Sequence, residues 1–235
     1  MIRRPTFRTP LGPRLLTLVA VLVCGAAGVF MVGVVVICVV NRAWSLGALI
    51  LAVAWLLASL TGYVARDLRG KWRLRVTMDA DSLVLDLPAG RSLIHKAPTQ
   101  HARIPYTEIE AIETRLEAYG SLGMRMLQRA YVLRRKSGEL IYLFEDRALD
   151  TLYETSFFTQ LVNDIAARAD VPLRDLGMTE GGGGVLGVWG TRAADWAAPA
   201  LPLGRQRQIR RDVAFTGALS LALVILALAL RLLLG

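Results

Sequence analysis

Three long apolar stretches organise the chain. They are Leu15–Val40, Trp44–Val64 and Val213–Leu230, and they contain no acidic or basic side chain. A helix rises about 1.5 Å per residue, so about 20 apolar residues cross a hydrocarbon layer of about 30 Å. The pattern therefore predicts three transmembrane helices, and the first two form a hairpin because only residues 41–43 separate them.

Alternating apolar and polar residues follow the second stretch. Trp72–Met78 and Leu83–Leu87 alternate regularly, which predicts half-buried strands. Ala130–Arg135 and Glu139–Phe144 predict a hairpin that turns around Gly138.

Weaker strand signals lie between these segments. Arg91–Lys96 is a candidate short strand, and Pro105 marks Ile104–Tyr106 as an edge strand. Ile109–Leu116 is ambiguous between strand and helix, with strand favoured. Ala118–Gln128 is predicted to be a loop between strands.

One amphipathic helix is predicted after the strands. Thr151 and Glu154 have the spacing of a capping box, and Pro172 ends the helix. Its apolar face consists of Leu152, Phe158, Leu161, Val162, Ile165 and Ala169. Strands followed by one helix, without alternation of the two, predict an α+β domain.

The segment Arg103–Glu113, which reads RIPYTEIEAIE, resembles a recurring segment of the bacterial pleckstrin-homology-like (PH-like) family. The hairpin at Gly138 and the helix with Phe157 and Phe158 lie where that family has them. The resemblance covers about Lys71–Leu176. It implies a small, bent antiparallel sheet that a C-terminal helix plugs, next to a transmembrane hairpin.

The predicted organisation has five parts. They are a basic cytoplasmic N-terminus (1–14), a transmembrane helical hairpin (15–65), a cytoplasmic PH-like β domain (66–176), a Gly/Pro/Trp linker with a basic end (177–211) and a third transmembrane helix (212–235). The four glycines Gly181–Gly184 predict a linker without lasting secondary structure. Its large apolar side chains are predicted to lie on the bilayer, on the sheet or on a partner.

Basic residues flank the apolar stretches mainly on one side. They are Arg3, Arg4, Arg8 and Arg14, then Arg66, Arg69, Lys71, Arg73 and Arg75, and finally Arg205, Arg207, Arg210 and Arg211. The other side has Arg42 and Arg231. The positive-inside rule therefore predicts a cytoplasmic N-terminus, a cytoplasmic segment 66–211 and an outside C-terminus.

These flanks account for much of the net charge of +9, so no nucleic-acid partner is predicted. Arginine is preferred over lysine and Ala and Gly are abundant, which is typical of a GC-rich bacterial genome. The predicted location is the bacterial inner (cytoplasmic) membrane. Cys24 and Cys38 lie about 21 Å apart on one helix and cannot form a disulfide with each other.

No catalytic set, metal site or cofactor is predicted. The run Gly181–Gly187 lacks the Lys and Ser or Thr of a phosphate-binding loop. His95 and His101 are expected in solvent, and so are Glu108, Glu110 and Glu113, which are assigned to the solvent faces of strands. The spans have no ionisable residue at mid-depth, which disfavours an ion path.

Three sets of residues are candidates for binding. The partner-binding set is Trp189, Trp196, Met124, Met126 and Leu127. The lipid-headgroup set is Arg73, Arg75, Arg134, Arg135 and Lys136. Small residues at intervals of four predict helix packing, among the three spans or with a partner helix: Ala20, Cys24 and Gly28; Ala54, Ala58 and Gly62; Ala214, Ala218 and Ala222.

The favoured function is a non-enzymatic scaffold, assembly factor or accessory subunit that binds another integral membrane protein or complex. A sensor of membrane lipids or of a ligand is the alternative, and a small channel or transporter subunit is less favoured. A homo-oligomer is a further option because the small-residue rows favour helix association.

Overall fold

The computed structural model describes residues 5–92, 94–121, 124–146, 156–184 and 190–234. The chain divides into two compact units, Met1–Pro105 and Tyr106–Gly235. It is an α+β protein in which two long apolar helices near the N-terminus accompany mainly antiparallel sheets.

The first unit contains a helical hairpin and one sheet. The helices are α1 (Leu11–Val40) and α2 (Trp44–Arg73). The strands are β1 (Thr6–Arg8), β2 (Arg75–Met78), β3 (Ser82–Leu87) and β4 (Gln100–Pro105). They form an antiparallel sheet, the first sheet, in the order β1-β2-β3-β4.

Both helices of the hairpin are long and apolar enough to cross a membrane, by length and composition. Only 6% of the most apolar window of each helix is buried, which is unlike the core helix of a soluble protein. The predicted first two spans therefore lie within α1 and α2. The predicted strand start at Trp72 is wrong, since α2 continues to Arg73 and Leu74 follows in extended conformation.

The apolar residues that alternate along β2 and β3 are buried, as predicted. The inward residues of both strands form an apolar core with Ile104 of β4: Val76, Met78, Leu83, Leu85 and Leu87. The candidate strand Arg91–Lys96 is wrong for the residues described there. Ser92 Oγ accepts hydrogen bonds from the N–H groups of Ile94 (3.2 Å) and His95 (2.8 Å), which forms a turn.

The second unit contains the other sheet and two helices. After a 3-10 turn at Tyr106–Glu108, the elements are β5 (Ile109–Ser121), β6 (Met124–Arg135), β7 (Leu140–Asp146), α3 (Phe157–Ala169), β8 (Leu173–Glu180) and α4 (Leu203–Leu234). The second sheet has the order β7-β6-β5-β8, and β8 runs parallel to β5.

Three predictions for this unit are wrong. Ala118–Gln128 is not a loop, because β5 and β6 continue through it to the pair Ser121–Met124. The sheet is not wholly antiparallel, and α3 is not its last element, because β8 follows the helix. The first residues of the predicted linker, up to Glu180, belong to β8.

Helix α3 begins after Ser156, whose Oγ accepts the N–H of Thr159 at 3.1 Å. The predicted capping pair Thr151 and Glu154, with Leu152, lies outside the described residues. The helix ends at Ala169, three residues before Pro172, which was predicted to close it. Its apolar face is confirmed by the burial of Leu161, Val162 and Ile165.

Candidate functional site

Strand β5 presents a buried polar face. Glu113, Arg115, Glu117 and Tyr119 occupy alternate positions, so they share one face of the strand. None of them is more than 3% exposed. Charged residues are rarely buried to this degree unless they have partners. The face is therefore the main candidate for a site in the second unit.

Two glutamates meet on this face through one amide. Gln128 Nε2 donates to Glu117 Oε2 at 2.9 Å and to Glu145 Oε2 at 3.2 Å. The hydroxyls of Tyr119 and Tyr142 also donate to these carboxylates, at 2.9 and 3.3 Å. Burial raises the pKa of the Tyr119 hydroxyl, and the nearby Glu117 charge raises it further, so this tyrosine stays a neutral donor.

Arg115 binds a segment that crosses this face, the strap (residues 190–202). Its Nη1 donates to the carbonyls of Asp195 and Trp196, both at 2.9 Å, and its Nη2 donates to Ala198 at 2.6 Å. Its guanidinium also lies 5.8 Å from the centre of the Trp196 ring. One buried side chain thus binds three carbonyl groups of the strap.

Trp196 is half-buried on the sheet. Its indole Nε1 donates to Glu113 Oε2 at 2.8 Å, and Arg134 donates to the same carboxylate at 2.6 and 3.0 Å. Burial raises the pKa of Glu113, but the hydrogen bonds from Arg134 and Trp196 outweigh burial and hold that pKa below its ordinary value. The apolar side chains of the linker were predicted to lie on the bilayer, on the sheet or on a partner. Trp196 lies on the sheet.

The glycine run continues β8 along β5. Gly181 N–H donates to the Ala118 carbonyl at 2.9 Å, and Gly184 N–H donates to the Gly120 carbonyl at 3.3 Å. A Cβ at Gly181 would lie 2.0 Å from Tyr119 Cε1. Close approach of the backbone to a buried ring therefore requires glycine here, and the run is hydrogen-bonded to β5 although β8 itself ends at Glu180.

Helix α4 is tied to the same sheet near its start. Arg205 donates to both carboxylate oxygens of Glu180, at 2.8 and 3.2 Å, and Arg125 donates to one of them at 2.9 Å. Ile209 is fully buried in an apolar cluster with Leu116, Ala118 and Met178. The first turns of α4 thus belong to the sheet domain, before the apolar stretch of the helix begins.

The predicted lipid-binding arginines divide into two groups. Arg134 is paired with Glu113, and Arg135 is paired with Glu108 and with Glu139 at 2.7 Å. Arg73, Arg75 and Lys136 are exposed. Arg73 and Arg75 belong to the first unit, and Arg134, Arg135 and Lys136 belong to the second.

The predicted partner-binding residues are also dispersed. Met126 and Leu127 are half-buried on β6, and Leu127 packs against the apolar cluster of the second sheet. Met124 is the first residue of β6. Trp189 lies outside the described residues.

The small-residue rows have different environments. Ala54 is buried in the hairpin, and a Cβ at Gly28 would lie 3.8 Å from Leu57 Cβ of the facing helix. Ala20 and Cys24 are half-buried. Five members of these rows are exposed: Ala58 and Gly62 on α2, and Ala214, Ala218 and Ala222 on α4.

His101 and Asp86 meet on the open face of the first sheet. His101 Nδ1 lies 2.9 Å from Asp86 Oδ1, and both residues line a shallow groove of about 600 Å³. His101 is exposed, as expected, but the carboxylate partner follows from strand register and had no signal in the sequence.

Sequence reasoning missed Glu117, Gln128, Glu145 and Arg115. A charged residue at an alternate strand position indicates a solvent face, and here that face is buried under the strap.

Within the described ranges, no group of three His, Cys, Asp or Glu residues is arranged to hold a metal ion. No family model matches the chain, and comparisons with curated proteins and with solved structures gave no match.

Proposed function

We propose that this protein is a non-enzymatic, membrane-anchored scaffold or accessory subunit that binds another integral membrane protein. The observation that carries the proposal is the outer surface of the α1–α2 hairpin. Large apolar side chains there are exposed, including Leu49 (64%) and Trp55 (63%). Such a surface requires lipid or protein around it.

A row of small residues gives this surface a place for a partner helix. Ala58 and Gly62 face outward on α2, whereas Ala54 of the same row is buried between the two helices. A Cβ at Gly62 would meet nothing within 4 Å. Small residues four apart let a second helix approach closely in lipid, where close packing drives association.

The structure of the sheet domain restricts where a partner can bind. Its buried polar face is already occupied by the strap, so the contacts of Arg115 and Trp196 are internal. Partner binding is therefore assigned to the helices and the outer edges of the sheets, and not to Trp196. The PH-like identity, the third span at Val213–Leu230 and the cytoplasmic side of residues 66–211 remain parts of this proposal.

The test uses gentle-detergent purification of the tagged protein from its native membrane, followed by mass spectrometry. We expect a stoichiometric integral membrane partner with the wild type and its loss with Gly62→Leu. Gly33→Leu is the matched control, because Gly33 is also exposed and open but has Val29 and Ile37 four residues away. A partner retained equally by both variants would refute the assignment.

The melting temperature of each variant shows whether the small-residue row on α2 contacts a partner helix or another helix of the same chain. A partner helix predicts that Gly62→Leu melts like Gly33→Leu once purified, since the added side chain enters open space. If the row instead seats another helix of the same chain, Gly62→Leu alone will melt at a lower temperature. Release of a second copy of the chain would identify the partner as a homo-oligomer.

A further inference from the structure

Two buried polar side chains near the start of helix α1 each have an atom without a hydrogen-bond partner among the residues that the structure describes. Arg14 is 8% exposed, its Nε has no hydrogen-bond partner within the described residues, and its guanidinium lies 5.6 Å from the centre of the Trp72 ring. Thr9 is 4% exposed, and its hydroxyl also has no hydrogen-bond partner. A buried guanidinium nitrogen without a hydrogen bond is costly, so Arg14 Nε points to an anionic ligand at this place.

The backbone at this point offers the N–H groups of Leu11 and Gly12, since Pro10 and Pro13 have none. The N-cap of α1 is Pro10, which makes no side-chain capping hydrogen bond, and the first turn contains no acidic residue. The first N–H groups of a helix have no partner within the helix, and the helix dipole attracts negative charge there. A cation in the first turn is repelled by that dipole. Binding of an anion would offset this repulsion at Arg14.

Side-chain direction brings these groups to one end of the helix. The Cα–Cβ bond of a helical residue tilts toward the N-terminus, so Arg14 leans toward the uncapped turn and toward Thr9. The nearby acidic residue of α2, Asp67, is paired with Lys71 at 2.7 Å. Lys71 also donates to Thr17 at 2.8 Å, and no acidic side chain of the described residues forms an ion pair with Arg14.

The position of the cluster identifies the source of the anion. Arg14 immediately precedes the apolar stretch that begins at Leu15, and Lys71 and Trp72 lie in the last turn of α2. Half-exposed tryptophan and basic residues at helix ends are typical of the headgroup layer. Basic pockets between membrane helices bind anionic lipid headgroups.

We propose that Arg14, the Thr9 hydroxyl and the uncapped first turn of α1 bind the phosphodiester of an anionic phospholipid. Trp72 holds the guanidinium in place, and the Lys71–Asp67 pair supplies a neutral wall. The site is separate from the predicted lipid-headgroup set, and it does not depend on a protein partner.

The test is thermal unfolding of the full-length protein in an uncharged detergent, titrated with short-chain (dioctanoyl) phosphatidylglycerol. We expect the lipid to raise the melting temperature. We expect Arg14→Gln to increase the half-saturating lipid concentration about tenfold or more, because charge-assisted hydrogen bonds are lost. Thr9→Val, which keeps the side-chain shape, should increase it severalfold.

The matched control is Arg42→Gln at the opposite end of the hairpin, which removes the same charge and should leave the half-saturating concentration unchanged. Equal weakening by Arg42→Gln and Arg14→Gln would show attraction by net charge only and would overturn the site. Unchanged lipid binding by Arg14→Gln would overturn it as well.

Two further ligands determine what is recognised. Dioctanoyl phosphatidylcholine carries the same phosphodiester with a cationic headgroup, and inorganic phosphate carries no acyl chain. We expect weaker stabilisation by both at equal concentration. Equal stabilisation by phosphatidylcholine would refute the anionic specificity, and equal stabilisation by inorganic phosphate would refute a lipid as the source of the anion.

Discussion

Glu180, at the end of β8, accepts hydrogen bonds from arginines on two other elements. Arg205 on α4 binds both carboxylate oxygens, and Arg125 on β6 binds one of them. The Arg205 hydrogen bond, with a smaller contribution from Arg125, lowers the pKa of Glu180 against the opposing effect of burial. The network joins the helix to the sheet through one carboxylate.

We predict that Glu180→Gln lowers the free energy of unfolding by about 1 kcal/mol at pH 7. Since the pKa of folded Glu180 lies below the ordinary value of 4.5, the unfolded chain binds the proton more tightly. The contribution is therefore complete above pH 4.5 and is lost as the pH falls through the folded pKa. Denaturant unfolding of both proteins between pH 7 and pH 3 should show the difference shrinking toward zero.

Glu139→Gln is the control, because Glu139 pairs with Arg135 at an exposed turn. It should change the unfolding free energy little at either pH. A difference between wild type and Glu180→Gln that stays constant down to pH 3 would contradict the ion-pair explanation.

Glu113 shows why single residues were harder to predict than elements. Its position on β5 follows from alternation, and the strand prediction for Ile109–Leu116 is confirmed. Its environment does not follow, because the residues that bury it, Arg134 and Trp196, are 21 and 83 positions away. The expectation of a solvent-facing carboxylate was wrong, since Glu113 is 2% exposed.

Elements defined by local signals were predicted well. The apolar stretches within α1 and α2, and the hairpin of β6 and β7, follow from hydrophobic pattern and turn sequence alone. Strand β8 was missed because a parallel partner across a helix leaves no local signal. The pairing of Ala118–Ser121 with Met124–Leu127 was missed because the sequence between the two strands lacks a regular alternation of apolar and polar residues.

The glycine run is the clearest element-scale test. We predict that Gly181→Ala lowers the free energy of unfolding by about 1–3 kcal/mol, since the new methyl group would overlap the buried ring of Tyr119. The ring has little freedom to move, because its hydroxyl bonds both Glu117 and the Ala194 N–H. Denaturant unfolding of the purified variant measures the change.

Gly204→Ala is the control for glycine replacement itself. Gly204 lies in the first turn of α4, and an added Cβ would meet nothing within 4 Å. Alanine has a higher helix propensity than glycine, so this variant should be as stable as wild type or slightly more stable. Equal stability of the two variants would contradict the packing of Gly181 against the Tyr119 ring.

At the scale of the whole molecule, strand pairing restricts how the chain can cross a membrane. β1 precedes α1, β2 follows α2, and the two strands pair from Thr6–Thr77 to Arg8–Arg75. Paired strands cannot lie on opposite sides of a bilayer. The hairpin must therefore cross twice or not at all, and its turn at Arg42 is the residue that distinguishes these cases.

We predict the side of the membrane on which each segment lies. Single-cysteine labelling measures it in a protein whose Cys24 and Cys38 are replaced by alanine. In sealed, oriented membrane vesicles, Arg8→Cys and Arg75→Cys should react with an impermeant thiol reagent from the same side, which the basic flanks make the cytoplasmic one. Arg42→Cys should react only from the other side.

Arg207→Cys and Gly235→Cys extend the test to the third apolar stretch, and they should label from opposite sides if that stretch spans the membrane. Labelling of Arg42→Cys from the cytoplasmic side would exclude a spanning hairpin and, with it, the partner surface on α2. Opposite sides for Arg8→Cys and Arg75→Cys would instead be incompatible with the pairing of β1 and β2.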